Sequence, residues 1–514
     1  MTDDLAKPLS TTPTPSAAGT GGVTYSHAEE GYFDKRQLKR TAGFWGLWGI
    51  GVAAVISGDF SGWNGGLGTA GWGGLLIATI LMILMYFGML FSIGEMSAAM
   101  PHTGGAYSFA RAAMGPWGGF ITGFAETIEY VFTTGVVVYF SASYADGVFG
   151  GNLPSWLWWV ILYVVFVLLN AAGAEASFKF AVTVAVISVA ILVLFGILAA
   201  AKGALDFGTL DDISQAGHGT FLPFGVTGIL YALPFAMWFF LGIEELPLAA
   251  EEAHNPQRDI PRAGFSGMVT LVVCAAIVFF LNPAVLGSSA TAASGEPLLD
   301  GFRDFLPGGW ARVLSAFALI GLLASLQGIM FAYGRNIYSL SRAGYYPKQL
   351  SLTGKRQTPY VALIVGAVIG FVALVISDNA GSTAGKIVLN IAVWGAVIAY
   401  MLQMVSFVVL RLRFPSATRP YRSPTGIAGA VVAFVLALLT FIGILKNPDY
   451  RPAIIAIVII YAVGLVVFAF FGRHRLILSP EEEYAMSGGL HRDPEVEHYG
   501  AELEEELPAK DFED

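Results

Sequence analysis

Four of the acidic residues inside long apolar stretches of this sequence are candidates for chemistry, because a charged side chain is costly there. Asp59 interrupts the first stretch, and Glu126 and Glu129 lie three residues apart in the third. Glu244 closely follows Gly242 in the sixth stretch. A carboxylate away from water attracts an ammonium ion and can also take up a proton, because desolvation disfavours its charged form. These residues therefore predict a site for a cation or a proton.

Each of these carboxylates also has a simpler structural explanation. Asp59 could cap one half of a helix, since Asp is a favoured N-cap residue. Glu244 could form a hydrogen bond across a break in its own helix. Glu126 and Glu129 share one helix face and could pair with Lys or Arg of a neighbouring helix. We interpret Asp59 as a ligand of a bound cation, because intramembrane charges are usually functional.

The composition defines the class of protein that carries these residues. Of the 514 residues, 55% are hydrophobic and 13% are charged, whereas soluble proteins average about 25% charged residues. Apolar runs of about 20 residues recur, which is the length of a membrane-spanning helix. The sequence therefore predicts an all-α polytopic membrane protein rather than a soluble enzyme. The single cysteine, Cys274, and the scattered histidines predict no disulfide, metal site or cofactor.

Twelve membrane spans are predicted from the apolar runs. They lie at about 44–69, 74–98, 117–141, 155–172, 180–201, 222–248, 264–287, 311–334, 359–376, 387–410, 425–445 and 453–471. With the N-terminus inside, all but six of the 28 Lys and Arg residues fall on the cytoplasmic side, as the positive-inside rule requires. We therefore expect a multi-pass protein of the inner or plasma membrane with both termini cytoplasmic.

The two ends of the chain are polar. Residues 1–43 contain Thr, Pro, Ser and Gly runs and are predicted to be a disordered cytoplasmic segment. Residues 44–478, which contain all twelve spans, form the predicted membrane domain. Residues 479–514 carry thirteen acidic and two basic residues and are predicted to be a solvated cytoplasmic tail. Nucleic-acid binding has no support, and the lipid bilayer is the expected surrounding; the oligomeric state is left open.

Two of the spans contain helix-breaking residues. The first includes the run SGDFSG at 57–62, and the sixth includes Pro234, Gly242 and Pro247. Unwound backbone inside a membrane is tolerated where it lines a cavity or is buried in protein. Interrupted segments at corresponding places in two halves indicate a transporter binding site. Glycines alone could also reflect close helix packing, but packing does not explain a carboxylate beside each break.

Several motifs resemble those of the amino acid–polyamine–organocation (APC) transporter superfamily. They are PHTGGAY at 101–107, GPWGGF at 115–120, FFLGIE at 239–244 and EEAHNPQRDIPR at 251–262. The resemblance implies a LeuT-like fold, with a five-plus-five inverted repeat and broken helices 1 and 6. It also implies a secondary active transporter, not an enzyme, that carries small amino-containing solutes by alternating access.

Within this superfamily, the stretches at 56–64, 107–120 and 125–130 resemble the ethanolamine permease group. Asp59 stands where amino-acid carriers of the superfamily have an aliphatic residue. A carboxylate at that position would repel a substrate carboxylate and attract an ammonium group. The resemblance therefore implies import of a small amine, ethanolamine first. The alternative is an amino-acid permease or antiporter of the same fold.

The resemblance also implies which residues form the site. The expected substrate contacts are Ser57, Gly58, Asp59, Phe60, Glu126, Glu129, Trp238, Phe240 and Leu241, with Glu244 for gating or proton coupling. Trp238 would cover the ammonium group, since aromatic faces attract cations. Some relatives carry a lysine in place of a sodium ion deep in the fifth helix, where this chain has Ser188. How these relatives couple transport therefore does not carry over to this chain. The carboxylates inside the spans predict H⁺ as the coupling ion, with Na⁺ as the alternative.

Overall fold

The structure is a computed structural model that describes residues 17–19, 22–26, 32, 35–36, 38–151, 153–215, 218–378, 384–415 and 417–477. It is almost entirely helical. The α-helices are α1 Phe44–Val55, α2 Ser57–Phe60, α3 Gly65–Ala99, α4 Gly105–Phe149, α5 Ser155–Ala171, α6 Ala174–Ala201, α7 Gly225–Trp238, α8 Pro256–Leu286, α9 Ser288–Ala293, α10 Pro297–Phe305, α11 Gly308–Arg342, α12 Tyr360–Asp378, α13 Ala384–Arg413, α14 Gly426–Lys446 and α15 Arg451–Phe470.

The helices form one membrane-sized bundle. Within the described residues, nine helices are long and apolar enough to cross a membrane, and two shorter apolar helices run over Phe44–Phe60 and Ser155–Ala171. Several helices extend beyond the predicted spans. The third predicted span, 117–141, is the middle of the 45-residue helix α4, which bends at Gly115 (φ 75°) before Pro116. Hydropathy missed these ends because they are polar while their backbone remains helical.

The first predicted break is present. Helix α1 ends at Val55, a single helical turn (α2) follows, and Ser61 is extended. Gly62 then adopts φ 95°, a conformation that side-chain-bearing residues rarely take. The run of Ser, Gly and Asp explains this interruption, because these residues favour caps and turns over helix interiors.

The sixth predicted span is broken in the same manner. Helix α7 ends at Trp238, and Gly242 has φ 111°. A 3-10 helix then runs over Ile243–Glu252 and contains Pro247. Proline cannot donate a backbone hydrogen bond within a helix, so a regular α-helix is disfavoured here.

The described parts of the two chain ends meet in a small sheet. Strands β1 Ala17–Gly19 and β2 Val23–Ser26 pair antiparallel, and β2 pairs parallel with β3 Leu476–Ile477. We call the end of the bundle that carries this sheet the terminal face. The prediction that residues 1–43 are disordered is therefore wrong for the described part of that segment. Composition could not reveal this pairing, because it joins residues about 450 positions apart in the chain. The acidic tail at 479–514 lies outside the described residues.

Buried side chains hold the N-terminal segment against the bundle. Tyr32 donates to the carbonyl oxygen of Arg342 (3.1 Å), and Arg36 Nε donates to Ser351 Oγ (2.8 Å). Tyr338 at the end of α11 donates back to the carbonyl oxygen of Arg36 (2.5 Å). The segment before α1 is thus tied to the end of α11 by hydrogen bonds.

Candidate functional site

The two helix breaks lie against each other in the middle of the bundle. The indole nitrogen of Trp238 donates to the carbonyl oxygen of Ser61 (3.0 Å). Gly58 packs so closely on the Trp238 carbonyl that a Cβ atom there would collide with it. Trp63 stacks on Phe239 with ring centroids 5.3 Å apart. The predicted contact residues of the first and sixth segments therefore belong to one buried region.

Side chains of the protein itself already occupy three backbone N–H groups at these breaks. The N–H of Ser57 donates to Ser325 Oγ (2.8 Å), and the N–H of Gly62 donates to Asn64 Oδ1 (3.1 Å). The N–H of Gly242 donates to Glu244 Oε2 (3.1 Å). A substrate carboxylate would need such donors, so these three are not available to it in this state.

Glu129 of α4 and Glu244 of the 3-10 helix face each other within hydrogen-bonding reach. Tyr400 Oη donates to Glu129 Oε1 (2.9 Å). The remaining oxygens, Glu129 Oε2 and Glu244 Oε1, are buried and have no hydrogen-bond donor. Two carboxylate oxygens can only accept hydrogen bonds, so one proton or one cation between them would satisfy both.

Glu126 extends this pair into a cluster. Asn336 Nδ2 donates to Glu126 Oε2 (3.1 Å), and Tyr130 Oη lies 3.4 Å from Glu126 Oε1. We call Glu126, Glu129 and Glu244 the glutamate cluster. The explanation that Glu126 and Glu129 pair with Lys or Arg is not supported within the described residues, since the polar groups around them are amide, phenol and carboxyl groups.

Aromatic side chains enclose the glutamate cluster. Tyr86 Oη lies 3.4 Å from Tyr400 Oη, and the Tyr86 ring packs edge-on against Phe240 with centroids 5.5 Å apart. Leu241, the next predicted contact, is buried as well. Acidic groups inside an aromatic shell favour a small organic cation, because both attract positive charge.

Asp59 lies apart from the glutamate cluster. Its side chain is buried, and neither of its carboxyl oxygens has a hydrogen-bond partner. Cys274 of α8 lies within electrostatic range of Asp59. The capping explanation for Asp59 is therefore wrong, because a cap would accept a backbone N–H. A joint contact of Asp59 and the glutamates with one substrate therefore stays a prediction.

Phe60 has a packing role in this state. Its ring presses on Gly321 of α11, where a Cβ atom would lie 2.5 Å from it. Its carbonyl oxygen accepts a hydrogen bond from Tyr144 Oη (2.8 Å). The close approach of α11 continues at Gly328, where a Cβ atom would collide with Ala54 of α1. Phe60 thus fixes the first break against α11.

A loop closes the first break on the side opposite the terminal face. Asn64 Nδ2 donates to the carbonyl oxygens of Thr291 and Ser294 (2.8 Å each). Ser61 Oγ donates to the carbonyl oxygen of Gly295 (3.1 Å). Burial raises the pKa of the nearby Glu296 carboxyl, which accepts a hydrogen bond from Ser143 Oγ (3.1 Å).

Ion pairs close the bundle toward the terminal face. Arg335 and Glu252 form a fully buried pair (2.8 Å). Glu251 contacts both Arg342 (2.6 Å) and His102 (2.8 Å). Contacts between segments therefore lie on both sides of the helix breaks, toward the terminal face and away from it.

Sequence reasoning missed several residues of the site. Tyr400 and Asn336 contact the glutamate cluster, and Tyr86 contacts Tyr400. Ser325 bridges the first break by also donating to the carbonyl oxygen of Ala53 (2.7 Å). These residue types are common in membrane helices, and no local spacing distinguishes them. Only their positions on neighbouring helices make them part of the site.

Comparisons with known proteins agree on one family. The model of the amino acid permease family matches residues 46–476. An uncharacterised transporter of Rhizobium meliloti is 25% identical over 447 residues, which cover 85% of this chain and 93% of the relative. A putative histidine permease of Bacillus subtilis is 25% identical, covering 82% of this chain and 90% of the relative. A gamma-aminobutyric acid permease of Bacillus subtilis is 24% identical, covering 70% and 78%.

The fold is also found among solved structures. A variant of the manganese transporter of Eremococcus coleocola superposes with a TM-score of 0.53 at 16% identity, covering 87% of this chain and 98% of that chain. The likeness shows a shared fold alone. Within the described part of this chain, no three His, Cys, Asp or Glu side chains are grouped so that they could hold a metal ion.

Proposed function

The chain belongs to the amino acid permease family, and we propose that it imports a small amine that lacks a carboxylate, with ethanolamine as the first candidate, by alternating access. As a member of this family it is a multi-pass membrane permease with a small amino-acid-like substrate. The proposal narrows that substrate to an amino alcohol or similar amine. The proposal includes twelve spans, of which ten form a five-plus-five inverted repeat and two follow it, with both termini in the cytoplasm.

One observation carries the choice of substrate. The region where the two breaks meet holds acidic groups, while three N–H donors at the breaks are already used by Ser325, Asn64 and Glu244. An ammonium group can therefore be bound by the glutamate cluster, whereas a substrate carboxylate would meet acidic side chains in a medium of low dielectric. This balance supports an amine over a zwitterionic amino acid.

The glutamate cluster also supports coupling to protons. A cation that enters between Glu129 and Glu244 would take the position of a shared proton, so the amine and the proton compete for this position and binding of the amine releases the proton. Glu244 follows Gly242, whose positive φ marks the break in the sixth span. Movement of that break would change the contact between Glu244 and Glu129, which are on different helices.

The alternative function is an amino-acid permease of the same fold. It is favoured by the relatives, which include proteins named as histidine and gamma-aminobutyric acid permeases. Histidine and gamma-aminobutyric acid both carry a carboxylate. Rearrangement of Ser325 and Asn64 in another state would free the N–H groups that such a substrate needs.

Competition in proteoliposomes separates the two functions. The purified full-length protein takes up radiolabelled ethanolamine in the presence of unlabelled ethanolamine, gamma-aminobutyric acid, histidine or alanine. We expect ethanolamine to compete at a concentration at least about tenfold lower than any of the three amino acids, because an unfavourable buried charge contact costs several kcal/mol. Stronger competition by any one of the amino acids would refute the amine proposal and support the amino-acid permease.

A further inference from the structure

A basic pocket lies at the terminal face, and none of its lining residues belongs to the glutamate cluster. Two adjoining cavities of about 650 and 770 Å³ share Lys39, Thr41, Glu175 and Lys179 as lining residues. Arg40 lines one of them, and Lys355 and Arg356 line the other. We call the two cavities together the basic pocket.

The charges around the basic pocket are strongly unbalanced. Five Lys or Arg side chains line it, and Glu175 is the single carboxylate among its lining residues. Glu175 is paired with Lys179 (2.8 Å) on the exposed surface of α6. The remaining four cations come from two distant segments, residues 39–40 and 355–356. A general excess of basic residues on one side would orient the protein in the membrane without bringing those residues together. Here separate segments place their basic side chains around one cavity.

The backbone at the pocket adds to its positive potential. Helices α1 and α6 both begin here, after Gly43 and Gly173, and neither has a side-chain cap at its N-terminus. Free N–H groups at a helix start carry partial positive charge and favour anions. Arg356 Nη1 donates to the carbonyl oxygen of Ala172 (2.8 Å), which holds its guanidinium group beside the start of α6.

The basic pocket is apolar at the end where α1 and α6 meet. Gly46, Phe178 and Val182 line it where α1 and α6 pack together. Trp45 next to it is 67% exposed, and Val186 of α6 is 52% exposed. Tryptophan of this kind marks the membrane–water interface. A pocket with one basic end and one apolar end fits an amphipathic ligand better than a free ion.

We propose that the basic pocket binds the headgroup of an anionic phospholipid, whose acyl chains lie along α1 and α6. Basic pockets between membrane helices are a known means of recognising anionic lipid headgroups. The phosphate would contact Lys39, Arg40, Lys355 and Arg356. Because α1 leads directly to the first helix break, a lipid held between α1, α6 and residues 355–356 would tie the start of α1 to the rest of the bundle.

Native mass spectrometry of the full-length protein tests this proposal. The protein is titrated with phosphatidylglycerol and, separately, with phosphatidylcholine. The test variant is the double substitution Lys355→Gln and Arg356→Gln. The matched control is Lys446→Gln with Arg451→Gln, which removes two cations from the opposite face. We expect the test variant to bind phosphatidylglycerol about tenfold more weakly, while the control binds it as the wild type does.

Three results would overturn the proposal. The first is that the wild type binds both lipids equally. The second is that the wild type and the test variant bind phosphatidylglycerol equally. The third is that inorganic phosphate displaces the lipid while chloride of the same ionic strength does not. The last would identify a site for free phosphate. If the double variant does not fold, Lys39→Gln takes its place. Lipid binding is measured without transport, so it is independent of the proposed substrate.

Discussion

Glu129 and Glu244, which lie on two different helical segments, hold their carboxyl groups against each other at the centre of the bundle. Each keeps one buried oxygen without a donor, Oε2 of Glu129 and Oε1 of Glu244. Their other oxygens accept hydrogen bonds from Tyr400 Oη and from the N–H of Gly242. A proton or a cation shared by the two carboxyl groups would satisfy both, and this is why we propose the pair as the centre of proton-coupled transport.

Substitution Glu129→Gln separates the structural role of this pair from its proton-binding role. The Gln amide can donate to Glu244 Oε1, so the contact persists, but it cannot release a proton. We expect uptake driven by a pH gradient to be lost, while exchange of labelled for unlabelled amine without a gradient continues. Both are measured in proteoliposomes.

The matched variant for this experiment is Glu126→Gln. Glu126 already has a hydrogen-bond donor in Asn336. We therefore expect this variant to bind the amine more weakly, while a pH gradient still drives uptake of the amine. If Glu129→Gln responds to the gradient like the wild type, Glu129 has no part in proton coupling. Accumulation driven by membrane potential alone, at about 2.3 kcal/mol per charge per 100 mV, would refute coupling as a whole.

Asp59→Asn removes a buried charge without changing the size of the side chain. Because neither Asp59 oxygen has a partner, we expect the variant to unfold at the same or a higher temperature. We expect amine uptake to fall at least about tenfold, since the sequence predicts Asp59 as a ligand of the ammonium group and loss of the partner of a buried charge costs a few kcal/mol. Uptake and thermal unfolding are measured in parallel, with Asp304→Asn at an exposed position as the control. Normal uptake would remove Asp59 from the mechanism.

Two deletions distinguish the acidic tail from the strand that precedes it. Removal of 479–514 leaves β3 intact, and we expect normal transport. Removal of 475–514 also deletes Ile477, whose N–H donates to the carbonyl oxygen of Ala343 (3.0 Å), and the partner of β2. The longer deletion should lower the unfolding temperature by several degrees, because each lost hydrogen bond costs about 1 kcal/mol. Identical unfolding of both forms would show that β3 contributes nothing to stability.

The carboxyl group of Glu296, on the side opposite the terminal face, predicts that the stability of the protein depends on pH. Burial raises the pKa of its carboxyl above the ordinary value of 4.5. The folded protein then holds a proton that the unfolded chain has released, so the contribution of Glu296 to stability falls as the pH rises above 4.5. We expect the unfolding temperature of Glu296→Gln to fall less than that of the wild type between pH 4.5 and pH 7. Parallel curves would contradict this.

The sequence by itself determined the membrane class of the protein and the two places where its helices break. Both are local properties: long apolar runs require a bilayer, and the Ser, Gly and Pro residues at 57–62 and 234–247 disfavour a helix wherever the chain lies. The acidic residues beside the breaks could be chosen from sequence for the same reason, because a charge in an apolar run is unusual regardless of its partners.

Only the tertiary structure decided which of these residues meet. It placed Glu129 against Glu244, left Asp59 beside Cys274, and joined β2 to β3 at opposite ends of the chain. It also showed that Ser325 and Asn64 occupy N–H groups at the first break. Such contacts depend on how helices distant in sequence rotate and pack against each other, and a periodic apolar pattern specifies a helix without specifying its neighbours.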